Sequence, residues 1–159
     1  MNQFSLSKWL KLIIIVVGLC GLFVYLWVIP SLAQIMATSY PEYAFCYWPW
    51  LILIWLTAIP CYVVLAIGWK VSENIRDDRS FSTENAKLLK WVAILAAADS
   101  GFFFAMGIVF LVLNMNHPAI VLISLIVLVI GIAISAVSAT LSHLVKKASN
   151  LQEQSDLTI

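Results

Sequence analysis

The charged residues of this chain are confined to short segments, and long uncharged stretches separate them. No charged side chain lies in residues 12–41 or in residues 43–69, and Asp99 is the sole charge in residues 91–145. A helix that crosses a bilayer needs about 20 apolar residues, so these stretches have room for one, one and two spanning helices. The sequence therefore predicts an all-α, polytopic membrane protein with four transmembrane helices.

The composition excludes a water-soluble domain. Apolar residues make up 63% of the 159-residue chain and charged residues only 11%, whereas about a quarter of the residues in a soluble domain are charged. The mean hydropathy is +1.00. Because four spans use nearly the whole chain, we expect one membrane domain over residues 1–159, with the lipid bilayer as its surrounding partner.

Proline, capping and charge positions set the expected helix limits. The apolar run of residues 12–29 is longer than the 7–15 residues of a signal-peptide core, which indicates a true span. Pro30 is expected to end this helix, Pro60 to kink the second, and Ser82 to cap the third. We predict helices at about 9–29, 48–75, 82–113 and 119–145, followed by a polar tail at 146–159.

The basic residues set the orientation in the membrane. All nine Lys and Arg residues fall in segments 8–11, 70–90 and 146–147, and none lies in segments 31–48 or 114–118. Basic residues in short loops stay on the cytoplasmic side. The pattern predicts that both termini and the 70–90 loop are cytoplasmic.

An aromatic segment connects the first two spans on the opposite side. Such a cluster is typical of side chains at the headgroup level of a membrane. The alternative is an aromatic mouth that captures an apolar or cationic ligand. The segment contains Tyr40, Tyr43, Phe45, Tyr47, Trp48 and Trp50 around Pro41 and Pro49.

Asp99 breaks the apolar pattern close to the middle of the bilayer. It lies ~13 Å along the helix from Lys90. Its transfer into the membrane costs ~3 kcal/mol, whereas the apolar residues of the same helix contribute a favourable ~5 kcal/mol, so the helix still inserts. No Lys or Arg lies at its depth, so we expect a protonated side chain that hydrogen-bonds to a hydroxyl. Proton relay or ligand binding is the functional alternative. The candidate hydroxyl partners are Thr57, Ser124 and Ser135.

Small residues recur at every fourth position on the last two helices. This spacing lets helix backbones approach closely in a membrane. We expect packing seams there, either within one chain or between two copies in a homo-oligomer. The two ridges are Ala93, Ala97, Gly101 and Ala105, and Gly131, Ser135 and Ala139.

Enzyme and nucleic-acid signatures are absent from the sequence. His117 and His143 would lie ~39 Å apart on one helix and cannot share a metal. No phosphate-binding glycine loop and no nucleophile with a neighbouring base is evident. Segment 70–90 balances five positive with four negative charges, which disfavours direct nucleic-acid binding. We predict a non-enzymatic protein without cofactor or metal.

Two stretches carry a resemblance to a known family. Residues 81–90 (FSTENAKLLK), which run into Trp91-Val92-Ala93, and residues 151–159 (LQEQSDLTI) resemble the hallmarks of domain-of-unknown-function family 2975. The resemblance implies a four-helix protein of the bacterial cytoplasmic membrane with no known enzymatic activity. Members are often encoded beside a small helix-turn-helix regulator, which implies a cytoplasmic partner.

Two functional hypotheses follow. In the first, the cytoplasmic loop and tail bind a helix-turn-helix transcription regulator; in the second, the chain is a small transporter or a ligand or proton sensor that uses Asp99. A wet cavity at Asp99 would favour the second hypothesis, and an Asp99 side chain sealed against hydroxyl groups would favour the first. The predicted docking residues are Phe81, Ser82, Glu84, Asn85, Lys87, Asp156, Leu157, Thr158 and Ile159.

Overall fold

The computed structural model describes residues 3–156, which are helical apart from short connections and contain no strand. Four stretches are long and apolar enough to cross a membrane: Phe4–Ser39, Pro41–Arg76, Thr83–Val112 and Pro118–Gln154. The predicted all-helical, four-span fold class is confirmed. The helices are α1 (Gln3–Phe23), α2 (Ile29–Ser39), α3 (Tyr47–Arg76), α4 (Thr83–Val112) and α5 (Pro118–Asp156), with a π-helical turn at Val24–Val28 and a 3-10 segment at Pro41–Cys46.

The prediction that Pro30 ends the first helix is wrong. The chain stays helical to Ser39, and the π-helical turn Val24–Val28 directly precedes α2. Proline lacks an N–H and its ring crowds the carbonyl four residues earlier, here that of Leu26. Leu26 lies inside the wider π-helical turn, which gives the ring space without ending the helix.

The predicted polar tail from residue 146 also differs from the structure. α5 continues as one helix to Asp156, because no proline or turn sequence interrupts it after the membrane-spanning part. Residues 157–159 lie outside the described residues. α3 and α4 agree with the prediction to within one residue at each end, and the Ser82 cap is confirmed by its side chain, which accepts a hydrogen bond from the Asn85 N–H at 3.2 Å.

The helices pack in a row rather than in a closed bundle. α1 packs on α3, α3 on α4, and α4 on α5, and within residues 3–156 α1 makes no close backbone approach to α4 or α5. The Tyr62 hydroxyl ties α3 to α1 through the Gly18 carbonyl at 2.8 Å, and Ser7 and Ser72 exchange hydrogen bonds near the chain start. The row therefore has two free outer helices, α1 and α5.

The α4–α5 seam uses small residues at every seventh position. A Cβ added at Gly131 would overlap the Ser100 side chain, and one at Gly107 would lie 3.2 Å from Ser124 Oγ, so the two backbones are in close contact. This contact gives the seam its strength, because apolar side chains gain no hydrophobic burial against lipid. The buried seam residues are Ala86, Ala93, Ser100 and Gly107 on α4 and Ser124, Gly131 and Ser138 on α5.

Only part of the predicted four-residue ridges lies in this seam. Ala93 and Gly131 are buried there, whereas Ala97 and Ala105 are exposed and a Cβ at Gly101 would meet no atom within 4 Å. The seventh-position residues follow a straight line along two helices that pack nearly antiparallel. A four-residue ridge drifts away from that line.

The row of helices has two distinct ends. The aromatic end carries the Pro41–Cys46 segment and the connection before α5. The charged end carries the start of α1, the α3–α4 loop and the end of α5. Four ion pairs lie at the charged end: Lys11–Glu73, Lys70–Glu84, Arg76–Asp77 and Arg79–Asp77.

Candidate functional site in the Asp99 groove

A cavity of about 540 Å³ lies between the four spans, and we name it the Asp99 groove. Its volume is in the range of small-molecule sites in proteins. Most of the lining is apolar, with residues such as Leu95 and Phe103 from α4 and Ile130 from α5. The polar side chains that line it are Tyr25, Thr57, Cys61, Tyr62, Asp99 and Ser100.

The open row of helices creates the groove. α3 and α4 form its floor, while α1 and α5 stand on either side without closing over it. Pro60 also lines the groove, at a point where a proline removes one backbone hydrogen bond from α3. The groove is therefore partly open along the flank of the protein that faces lipid.

Asp99 points into the groove with few partners. The side chain is half-buried, and its Oδ2 atom accepts a long hydrogen bond from the Cys61 thiol, with 3.9 Å between sulfur and oxygen. No ion pair reaches it, since the described ion pairs all lie at the charged end. A carboxyl group in an apolar groove without a basic partner is available to a ligand.

The three predicted hydroxyl partners do not seal Asp99. Thr57 lines the same groove, but its hydroxyl donates to the Ile54 carbonyl at 2.8 Å. Ser124 is 1% exposed in the α4–α5 seam and donates to the Val121 carbonyl. Ser135 does not line the groove. The structure thus brings Thr57 to Asp99 and places the two serines elsewhere.

Four polar groove residues were not identified as site residues from the sequence: Tyr25, Cys61, Tyr62 and Ser100. Cys61 comes four positions after Thr57 and therefore shares its helix face, a spacing that could have been noticed. Tyr25 lies on the first span and lines the same groove. Its position beside Asp99 depends on how the helices pack and leaves no trace in the local sequence.

The described residues contain no group of three His, Cys, Asp or Glu side chains that could hold a metal ion. The groove instead offers one carboxyl, two tyrosine rings, a threonine and a thiol within an apolar wall. Such a set can bind a lipophilic molecule and orient its polar group toward Asp99.

The predicted docking residues at the charged end fall into two groups. Asn85 is buried, accepts a hydrogen bond from the Asn74 amide at 2.7 Å and donates to the Arg79 and Ser80 carbonyls, so it fixes the α3–α4 loop. Ser82 caps α4 and Glu84 pairs with Lys70 at 2.8 Å. Phe81 and Lys87 are exposed. Leu157, Thr158 and Ile159 and the Asp156 side chain lie outside the described residues.

Comparison with known proteins gives the family. The model of the family "Protein of unknown function (DUF2975)" matches residues 31–159. The chain belongs to this family. It is also 27% identical over its full length to the whole of the uncharacterized membrane protein YoaS of Bacillus subtilis strain 168. No solved structure matches the chain. It is thus a four-span membrane protein of a family of unknown function, and the resemblance seen in the sequence is confirmed.

Proposed function

We propose that this DUF2975 protein is a membrane ligand sensor that takes a lipophilic amine into the Asp99 groove, with the ammonium group beside the Asp99 carboxylate. The observation that carries the proposal is that Asp99 lines a cavity of about 540 Å³ rather than being sealed by hydroxyl groups. It favours the second of the two hypotheses drawn from the sequence.

Charge complementarity supports a cationic ligand. An isolated carboxylate is costly to bury in a low-dielectric environment unless an opposite charge accompanies it. Residues 12–69 and 91–145 contain no Lys or Arg, so these central parts of the spans provide no such charge. An ammonium group in the groove would make the pair neutral, and the apolar walls would hold the rest of the molecule.

The open flank of the groove supports entry from the bilayer. A lipophilic amine concentrates in the membrane, and no described helix closes the gap between α1 and α5. Binding there would bring these two helices into contact with a common ligand. α5 runs from the groove residues Ile130 and Ile134 to the charged end without a break, so a shift of α5 would reach the cytoplasmic surface.

Cys61 provides a direct test. In a Cys20→Ser, Cys46→Ser background, N-ethylmaleimide is expected to alkylate Cys61 in purified protein, because Cys61 is exposed, and 4-phenylbutylamine is expected to slow this reaction. The neutral isostere pentylbenzene, at the same concentration in the micelle, is expected to protect Cys61 about tenfold less well, since it lacks the charge. Equal protection by both compounds would contradict the charge assignment.

Two substitutions on α3 form a matched pair for the same assay. Val64 lines the groove, so Val64→Trp is expected to fill it and abolish protection by the amine. Val63 is 42% exposed and does not line the groove, so Val63→Trp is expected to bind the amine normally. Asp99→Asn is expected to remove the preference for the amine while the protein still elutes as a folded species. Retained preference in Asp99→Asn refutes the role of the carboxylate.

We propose a second function for the charged end, namely binding of a small helix-turn-helix regulator. Two apolar side chains there support it, since Phe81 is 60% and Leu151 57% exposed. Ser149 is buried, which means that one side of the α5 extension packs on the chain while Leu151 faces outward. Exposed apolar groups on one cytoplasmic surface suit a protein partner.

Site-specific photocrosslinking in cells tests this second function. A benzoylphenylalanine at position 81 or 151 is expected to crosslink to one helix-turn-helix protein. The same group at position 45, where Phe45 is 61% exposed at the aromatic end, is the control and should not do so. Failure to recover any DNA-binding protein from positions 81 and 151 counts against the proposal.

A further inference from the structure

The aromatic end contains a second cavity of about 460 Å³, which we name the aromatic pocket. It lies between α2, the Pro41–Cys46 segment, the start of α3 and the connection before α5, and it shares no lining residue with the Asp99 groove. Its rim is built from four aromatic side chains: Tyr40, Tyr43, Tyr47 and Trp50.

The wall of the aromatic pocket is held in place by contacts behind it. The Trp50 indole N–H donates to the Met115 carbonyl at 3.0 Å, and its ring meets the Phe110 ring edge-on with 5.0 Å between centroids. Tyr40 and Tyr43 are 53% and 51% exposed, so part of each ring is free to meet a ligand. The pocket is thus a pre-formed aromatic surface.

The charges around the pocket favour a cation. Glu42 is exposed and lies between Tyr40 and Tyr43 in the chain, and residues 12–69 and 114–118 contain no Lys or Arg. Asn116 also lines the pocket, and its buried Oδ1 has no hydrogen-bond partner among the described residues. A cation within a few ångströms would stabilise this unpaired oxygen dipole.

The aromatic rings of the charged end show the contrast. There the chain supplies its own cations, with Lys8 Nζ 4.4 Å from the Phe4 ring centroid and Lys11 Nζ 4.5 Å from that of Trp69. Aromatic faces attract ammonium groups through their quadrupole. At the aromatic end no lysine or arginine lies near the rings, and Nδ1 of His117, which also lines the pocket, accepts a hydrogen bond from the Ala119 N–H at 3.2 Å. A cation at these rings would therefore come from outside the chain.

The depth of the pocket points to an amphiphile. Ile54 lies seven residues along α3 from Tyr47 and is therefore ~10 Å along the helix from that tyrosine. Ile29 and Leu32 join it in an aliphatic floor that continues toward the middle of the helices. We infer that the aromatic pocket binds an amphiphile with a quaternary ammonium headgroup, with the headgroup at the tyrosine rim and the alkyl chain along this floor.

The ligand test uses the full-length protein in uncharged maltoside micelles and decyltrimethylammonium as the probe. Its binding is measured by isothermal titration calorimetry against the carbon isostere 2,2-dimethyldodecane, which is expected to bind about tenfold more weakly because it lacks the charge. Tetramethylammonium is expected to bind more weakly as well, since it leaves the aliphatic floor empty. Equal affinity of decyltrimethylammonium and either comparison compound overturns the inference.

Variants at Tyr43 test whether its aromatic ring, rather than its hydroxyl group, contributes to binding of the cation. Tyr43→Phe keeps the ring and is expected to keep the affinity, whereas Tyr43→Leu is expected to lose about five- to tenfold. Phe45→Leu, in the same segment but outside the pocket, is the matched control and should bind normally. Loss in Tyr43→Phe equal to that in Tyr43→Leu, or an equal loss in Phe45→Leu, overturns the inference.

A charge variant keeps the test valid if Tyr43→Leu unfolds. Glu42→Gln is expected to lower the affinity about two- to threefold, and the difference from the wild type should shrink as salt is added. An unchanged affinity in Glu42→Gln overturns the contribution of charge to this site. In the Asp99→Asn background, where the groove no longer offers its carboxylate, Tyr43→Leu should still lose about five- to tenfold relative to Asp99→Asn alone, which separates the inference from the proposed function of the groove.

Discussion

A glycine in the α4–α5 seam offers the sharpest test of the packing. A Cβ at Gly131 would overlap the Ser100 side chain, including its Cβ, and would lie 3.1 Å from the Ala96 carbonyl oxygen. A rotamer change cannot move Ser100 Cβ, so the helices must separate. We therefore expect Gly131→Ala to destabilise the protein even though alanine is the better helix former.

The magnitude follows from two opposing contributions. Forced overpacking typically costs ~1–3 kcal/mol, while replacing a helical glycine by alanine returns up to ~1 kcal/mol. The net expectation for Gly131→Ala is a loss of ~1–2 kcal/mol in the free energy of unfolding. Gly101 is the matched control on the opposite helix, because a Cβ there meets no atom within 4 Å. Gly101→Ala should be neutral or stabilising by up to ~1 kcal/mol.

The assay is unfolding of the purified protein by sodium dodecyl sulfate titrated into mixed micelles, followed by circular dichroism. Ser100→Gly in the Gly131→Ala background should restore most of the lost stability, since it removes the overlapping atoms, and the double-mutant cycle measures this coupling. If Gly131→Ala proves as stable as Gly101→Ala, the close backbone contact at this seam is refuted.

Three further predictions concern topology, the α3–α4 loop and the groove. Phe45→Cys should react with a membrane-impermeant maleimide in intact cells, and Ser80→Cys should react only after lysis. Cys46 is 6% exposed and should react slowly before and after lysis, whereas labelling of Ser80→Cys in intact cells would reverse the predicted orientation. Asn85→Ala should lower the free energy of unfolding by ~1–3 kcal/mol in the same titration, because it leaves a buried amide unpaired, and a change below 0.5 kcal/mol argues against a loop-fixing role. Asp99→Asn should change the free energy of unfolding by less than ~1 kcal/mol, because the substitution affects only a long hydrogen bond from the Cys61 thiol. A loss above ~2 kcal/mol would mean a structural role for the carboxyl.

The number of spans could be predicted from the sequence because membrane insertion depends on local hydropathy. A backbone in lipid must satisfy its own hydrogen bonds, so each long apolar run has to be a helix. The Ser82 cap could be predicted for the same reason, because it depends only on a hydroxyl side chain at the first position before the helix. The effect of Pro30 was predicted wrongly because it depends on the conformation of the helical turn before it, which the sequence pattern does not reveal.

The choice of seam needed the tertiary structure. α4 offers two lines of small residues, at every fourth and at every seventh position, and both satisfy the rule for close helix approach. Which one becomes buried depends on the partner, since Ser100 can meet Gly131 only when α5 packs antiparallel in the observed register. Gly101, equally small, faces open space in that arrangement.

The candidate site shows the same division. The order of residues is enough to place a carboxyl at position 99 in an apolar helix without a basic residue nearby in the chain. It could not determine that Tyr25 and Cys61 lie beside Asp99, since these residues are 74 and 38 positions away and meet only through helix packing. The groove itself arises because α1 packs on α3 alone, and in lipid no hydrophobic force compels the outer helices of a row to close on each other.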